Sequence, residues 1–232
     1  MERFLAIDIG ASSGRHIVGW RENGEVRMEE VYRFPNGVTE DRGHLVWDVE
    51  ALEHHVRAGI EKAKAAYSDL VSLSIDTWGV DYGLLDRNGH LLGNPRAYRC
   101  AVDEDFEETW KIIDFPTLFA RTGIANQNFN TVYQLYRRKR EGDVALENAQ
   151  TMLLLPDLLG YFLTGEKKSE YTEVTTTMLY NPTTKDWDWE TIRELGLPEH
   201  IFTEIDRAGT LRGHLRPEEG QSLFLQAAHL RL

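Results

Sequence analysis

The sequence predicts a mixed α/β protein that opens β-β-β-α-β-β and becomes mainly helical in its second half. Three observations carry that reading. Short apolar runs separated by turn residues fill positions 4–34. An apolar stripe at helical spacing follows over 48–66, and two more apolar runs precede residue 90. Beyond residue 100 the stripes are helical. At 232 residues, 41% apolar and 28% charged, the chain can bury a real core. That excludes a disordered tail, a coiled coil and a small disulfide scaffold.

Residues 4–9 form an apolar run stopped by Gly10, which reads as a buried strand. Ala11-Ser12-Ser13-Gly14 is turn material, and 15–20 reads as a second strand. Asn23-Gly24 marks a hairpin before a third strand, 26–34, closed by Pro35-Asn36-Gly37. Three antiparallel strands at the start exclude a Rossmann domain, whose first strand feeds a helix directly. Over 48–66, Leu52, Val56, Ile60 and Ala63 share one helix face, with Asp48 as the N-cap. Residues 70–75 and 80–85 read as buried strands, the second ending at the turn Asp86-Arg87-Asn88-Gly89. Helices are predicted over 103–114, 117–121, 131–141 and 156–163, the last ended by Gly165. The Thr-rich stretch 171–179 suits a strand or an extended segment, and 187–195 a final amphipathic helix stopped by Gly196. No linker or internal repeat appears, so one domain is expected over 1–220, with 221–232 as a separate tail.

A net charge of −12 argues against sequence-independent nucleic-acid binding and against an anionic lipid surface. Cys100 is the single cysteine, so no internal disulfide is possible. The apolar run Phe4-Leu5-Ala6-Ile7 is too short for a signal peptide, and no stretch approaches the ~18 apolar residues of a membrane span. A cytoplasmic protein is expected.

Two segments carry the chemistry. Asp8-Ile9-Gly10-Ala11-Ser12-Ser13-Gly14-Arg15 puts a carboxylate at a strand end, then small residues, then a guanidinium. Glycines admit backbone N–H groups close to a phosphate, Ser12 and Ser13 add hydroxyls, and Arg15 supplies a planar fork. Asp8 suits Mg²⁺, a hard cation that takes oxygen ligands alongside phosphate. The Gly-Lys-Ser/Thr of a Walker loop is missing. The same residues also suit a plain hairpin turn with a surface arginine. The second segment is Ser74-Ile75-Asp76-Thr77-Trp78-Gly79-Val80-Asp81-Tyr82-Gly83. Trp78 beside Gly79 offers an apolar plate next to exposed backbone for a sugar ring, with Asp76 and Asp81 as hydroxyl acceptors. The competing reading puts Trp78 in the core.

Asp8 to Arg15, followed at this distance by Ile75-Asp76-Thr77-Trp78-Gly79-Val80-Asp81, resembles the FGGY carbohydrate kinases, and within them the rhamnulokinases. Val46-Trp47-Asp48, Pro95-Arg96-Ala97-Tyr98-Arg99, Phe129-Asn130-Thr131-Val132-Tyr133-Gln134-Leu135, Leu155-Pro156-Asp157, Leu163-Thr164-Gly165 and the run from Glu170 to Thr177 extend the likeness across residues 4–215. The resemblance implies a ribonuclease-H-like fold of the actin and hexokinase kind, with two such domains facing each other across a cleft. It implies that Ala11, Ser12, Ser13, Gly14 and Arg15 touch the phosphates of ATP and that Asp8 sits near Mg²⁺. The Gly79 backbone, beside Trp78, would face the sugar. The implied reaction is phosphoryl transfer from ATP to the 1-hydroxyl of L-rhamnulose, which is mostly positioning and charge stabilisation. A kinase for another ketose or polyol is the neighbouring alternative, because fold and hairpin do not encode the sugar. A non-catalytic sugar-binding domain is the alternative from a different class.

Two departures stand out. The family usually continues Tyr-Arg-Asp where Tyr98-Arg99-Cys100 stands, so Cys100 receives no role and reads as a small buried hydrophobe. The family's general base lies in a Ser-His-Asp-Thr-Ala segment soon after the position of His214, whereas Gln221 onward contains no such segment. The expectation is therefore a chain without a catalytic residue of its own, short of the nucleotide-binding half. His54-His55 reads as solvated surface, Trp187-Asp188-Trp189 as a packing knot, and Asp157 as a helix-capping residue.

Overall fold

The computed structural model describes residues 2–216 together with the backbone of 224–226. The boundary expected at 220 therefore lies outside the described residues, as does most of the tail expected at 221–232. β1 (Arg3–Ile9), β2 (Ser13–Glu22) and β3 (Glu25–Pro35) form the expected antiparallel meander. A bulge between His16 and Ile17 on the β2–β3 pair leaves Val31 as the extra residue. A short hairpin, β4 (Val38–Asp41) and β5 (His44–Trp47), follows, which the sequence reading did not include. Its signal is Arg42-Gly43, both at positive φ (50° and 80°), the backbone a two-residue hairpin needs. α1 (Val49–Ala66) starts where predicted, with Asp48 accepting from the Ala51 amide, and buries Leu52, Val56, Ile60 and Ala63.

β6 (Leu70–Asp76) then enters the sheet parallel to β1, the connection passing through α1. β7 (Tyr82–Leu85) does not join that sheet. It pairs antiparallel with β8 (Thr151–Leu154), nearly 70 residues later. Between them lie α2 (Glu104–Trp110), α3 (Phe115–Thr122), α4 (Thr131–Arg140) and α5 (Val144–Asn148). α6 (Leu155–Thr164) ends at Gly165 in the left-handed conformation, φ 85°. β9 (Ser169–Glu170) leads into α7 (Tyr171–Thr175). Thus 171–179 is not the predicted strand. Glu170 caps the Thr172 and Glu173 amides, and three threonine hydroxyls bond back to carbonyls three residues earlier. That local hydrogen bonding overrides the β preference of threonine. β10 (Tyr180–Asn181), β11 (Asp186–Trp187), α8 (Trp189–Glu194), β12 (Ile205–Asp206), β13 (Leu211–His214) and β14 (Phe224–Gln226) complete the order. The main sheet runs β13-β14-β6-β1-β2-β3 and is mixed, the β1–β6 and β6–β14 pairs being parallel.

Two apolar cores result. One lies under the six-stranded sheet, where Leu5, Ile7 and Ile9 of β1 meet the inner face of α1 and Leu155, Leu158 and Leu159 of α6. The other fills the helical half around Leu118, Val132, Tyr133, Leu135, Val174 and Ile192. The β7–β8 ladder partitions them by the period-2 rule: Leu85 and Leu153 face the first core, and Leu84, Met152 and Leu154 the second. Both faces of that ladder are buried, so its strands read as continuous apolar runs. Among the described residues no helix is long and apolar enough to cross a membrane.

Candidate functional site

Register brings the two predicted segments together. Asp8 pairs with Arg15 across β1–β2 and with Asp76 across the parallel β1–β6 pair. The loop after β1 and the loop after β6 therefore leave the sheet side by side, at the carboxyl ends of neighbouring parallel strands. That is where α/β sheets open a crevice for ligands.

The first loop is a braced hairpin. The Gly10 amide donates to the Ser13 carbonyl at 2.9 Å. Asn36, just past β3, donates its backbone N–H to the Ser12 carbonyl (3.0 Å) and its side-chain amide to the Gly10 carbonyl (2.8 Å). The amides of Ala11 and Ser12 and the hydroxyls of Ser12 and Ser13 make no hydrogen bond among the described residues. They form a small cluster of open donors on a fixed frame, the donor set an anion needs. Gly14 has a packing reason for its identity: a Cβ there would lie 2.1 Å from the ring of buried Phe34. Arg15 folds back on Asp8, with Nε and Nη2 each 2.8 Å from Oδ2, and both side chains are about half exposed. Arg33, opposite Arg15 across β2–β3, is held by Glu30 at 2.8 Å.

Beneath Arg15, His16 is fully buried and its Nε2–H donates to the Val56 carbonyl at 3.2 Å. Because a carbonyl only accepts, the ring is the Nε2–H tautomer and Nδ1 is left without a partner. Burial lowers the imidazole pKa to about 4. His55 is not free surface: it stacks on Phe34 at 4.3 Å and bonds Tyr32 through Nδ1 at 2.8 Å, whereas His54 is exposed.

The second loop lines an open pocket of about 550 Å³ bounded by Trp78, Gly79, Tyr98, Phe129, Asn130 and Thr176. Its walls are mainly apolar rings with a few amide and hydroxyl groups, a lining that suits a sugar. Val80, beside it, has φ +70°, a conformation β-branched residues rarely adopt. Three side chains hold it there. Its N–H donates to Thr176 Oγ1 (3.1 Å), and its carbonyl accepts from Thr131 Oγ1 (2.8 Å) and Gln134 Nε2 (3.2 Å). Strain maintained by surrounding structure is a mark of ligand sites.

Asp81 is not the hydroxyl acceptor the sequence suggested. It is fully buried, and its Oδ2 accepts from the indoles of Trp47 (2.6 Å) and Trp78 (2.9 Å) and from the Tyr98 amide (3.2 Å). Burial pushes its carboxyl up to about 6 against the pull of those donors. Trp78 is thus fixed at its polar edge by Asp81 and packed on Trp47, ring centroids 4.0 Å apart, while still lining the pocket. Asp157 is no cap either: it pairs with Arg212 and accepts the Glu170 amide at 3.0 Å. Cys100 is half-buried, its sulfur accepting the Leu45 amide (3.2 Å) and donating to the Leu45 carbonyl (3.4 Å). Trp187 is a packing residue as expected, bonded to the Thr203 carbonyl and packed on Phe202. Thr176, Thr131, Gln134 and Tyr98 were given no role from sequence. The available signal was the polar run Asn130-Thr131 opening a helix whose next residues are apolar.

A braced hairpin with open donors thus lies beside an aromatic-lined pocket at one end of a mixed sheet. The sequence profile of the FGGY family of carbohydrate kinases, N-terminal domain, matches residues 3–227. The chain belongs to that family. A rhamnulokinase from Oceanobacillus iheyensis is 40% identical over 220 residues, 94% of this chain and 47% of that protein. The rhamnulokinase of Bacillus subtilis is 36% identical over 93% of this chain and 44% of its own length. The chain thus spans about half the length of the curated relatives it matches. Its fold is that of a ligand-bound xylulose kinase from Lactobacillus acidophilus (TM-score 0.86, 15% identity, 97% of this chain and 47% of that one). It is also that of Plasmodium falciparum glycerol kinase with ADP (TM-score 0.75, 15% identity, 98% and 48%).

Proposed function

We propose that this chain supplies the hairpin and sugar-pocket half of a kinase that transfers the γ-phosphate of ATP to the 1-hydroxyl of L-rhamnulose. The observation that carries the reading is the shared register of Asp8, Arg15 and Asp76, which sets the anion hairpin and the Trp78-Gly79 pocket at one end of the sheet. The named relatives supply the sugar. In this reading the open Ala11 and Ser12 amides, with the hydroxyls of Ser12 and Ser13, bind phosphate oxygens, and Arg15 grips the transferring phosphoryl group.

The residues present fit Mg²⁺. The ion takes one or two carboxylates plus phosphate oxygens and water, so the single exposed carboxylate of Asp8 suffices. Bound there with ATP, Mg²⁺ would neutralise phosphate charge. Asp8 would leave Arg15 for the metal as Arg15 turns to the phosphates, so the two side chains exchange one another for the two parts of the ligand. In the pocket, Trp78, Tyr98 and Phe129 supply flat apolar contacts, and the Gly79 backbone leaves room for the ring. The test is calorimetric titration of the chain with L-rhamnulose, D-xylulose and glycerol. Tightest binding of L-rhamnulose supports the reading, and equal or absent binding of all three refutes it.

A second reading is a sugar-binding domain without turnover, which the aromatic lining of the pocket serves equally well. A coupled assay for ADP release separates the two.

A further inference from the structure

Glu173 on α7 is 6% exposed, and its Oε2 is shut off from solvent without a hydrogen-bond partner. The groups that face it are acidic: Asp76 at the end of β6, Asp81 before β7, Asp157 on α6 and Glu170 on β9. β12, which packs on α7, carries Asp206. The nearby cations are engaged elsewhere. Arg212 pairs with Asp157 and lies 3.8 Å from Asp206, and Lys168 sits 3.5 Å from Asp206 and 3.6 Å from Glu204. Among the described residues no cation pairs with Glu173. A carboxylate buried among carboxylates is disfavoured both by lost hydration and by repulsion. Both effects push the Glu173 carboxyl up to about 9.

α7 has five residues, too few to persist without outside support. What it carries matters to the pocket. Thr176 Oγ1 donates to the Glu173 carbonyl at 2.7 Å and accepts the Val80 amide at 3.1 Å. Glu173 is therefore one hydrogen bond from the group that holds the strained Val80, and Thr176 itself lines the pocket. We propose that Glu173 is a positioning residue for the sugar pocket, held as a neutral carboxylic acid, and that its ionisation drives α7 and Thr176 away from Val80. The claim rests on reading that pocket as the sugar site.

The sign follows from linkage. The unfolded chain releases this proton near 4.5, the native chain only near 9, so this share of stability is lost as pH rises between those values. Glu173→Gln keeps a neutral donor of the same shape and removes the dependence.

The experiment compares wild type with Glu173→Gln in thermal melts, amide hydrogen exchange at Val80 and L-rhamnulose calorimetry, from about pH 5 to about pH 9.5. In the melts, the variant is expected to gain on wild type as pH rises, with the gap widening by at least about 5 °C. At the highest pH the wild-type Val80 amide exchanges faster than the variant's, and wild type loses at least about fivefold in sugar affinity that the variant keeps. Parallel melting curves overturn the neutral acid. A widening gap with equal Val80 exchange overturns the positioning role. If neither protein binds L-rhamnulose at any pH, the sugar reading fails, and the melts and Val80 exchange still decide the proton and the coupling to α7.

Discussion

The imidazole of His16 occupies the space that a side chain at position 59 would need: a Cβ on Gly59 would lie 2.2 Å from the ring. The glycine in the middle of α1 leaves room for the ring of the buried histidine that follows Arg15 on β2. Gly59→Ala is accordingly expected to destabilise the chain by at least about 2 kcal/mol, despite alanine's better helix propensity. His16→Ala/Gly59→Ala should lose less than the sum of the two single variants, a coupling that chemical denaturation would read directly.

Acid should expose the same histidine. Its folded pKa of about 4 lies below the ordinary 6.5, so the unfolded state binds the proton first. Stability is fully present above about pH 6.5 and drains as pH falls toward 4, by an amount of order 2–3 kcal/mol. His16→Phe should flatten that limb of the pH–stability curve. An unchanged acid limb would mean the imidazole is not buried as a neutral ring.

In a protein that joins this chain to a nucleotide-binding half, Arg15→Ala should weaken binding of Mg²⁺–ATP at least about tenfold, since hydrogen bonds to charged groups are worth roughly 1.5–3 kcal/mol. Melting temperature should stay put, because its pair with Asp8 is exposed and screened. Equilibrium dialysis and a melt on the same sample decide it. Affinity and melting point falling together would make Arg15 a structural residue.

Gly79→Val should abolish sugar binding, and the structure adds a second effect. A Cβ at position 79 would come within 2.8 Å of Thr176, which holds Val80, so the melting point should drop as well. Unchanged L-rhamnulose affinity would place the sugar elsewhere.

On the sequence expectation that the chain carries no general base, the purified 232-residue chain should bind L-rhamnulose without turning over ATP at a kinase rate, since general-base catalysis contributes ~10²–10⁴-fold. A coupled assay showing ordinary turnover would overturn this expectation.

The fold was legible where local rules decide it. The β1–β3 meander, the Asp48 cap and the α1 stripe each follow from a few neighbouring residues. β7 was legible as a strand but not in its pairing, because its partner β8 is remote and both faces are apolar. The helix at Glu173 was hidden by threonines whose hydroxyls bond within the turn. At the candidate site, Asp8 through Arg15 and Trp78-Gly79 stand out in the sequence as small and aromatic residues at strand ends, and the sheet register sets the two segments side by side. Asp81 misled because a buried carboxylate serving two indoles looks, in sequence, like any turn aspartate. Thr131, Gln134 and Thr176 act through a backbone strain at Val80 that no residue pattern announces.

The placement of β14 between β6 and β13 bears on how the chain is made. On the ribosome β1, β2 and β3 can pair as soon as they emerge, since each partner is the next segment in sequence. β6 also finds β1 early, but its other edge waits for residues 224–226, about 150 positions downstream. Until those residues are synthesised, a strand edge rich in valine, leucine and isoleucine stands open. Late closure of a parallel edge is slow and leaves nascent chains prone to pairing with one another. Chaperones at the ribosome should therefore engage this polypeptide after β6 has emerged and before β14 has, and variants cut just before residue 224 should accumulate as aggregates.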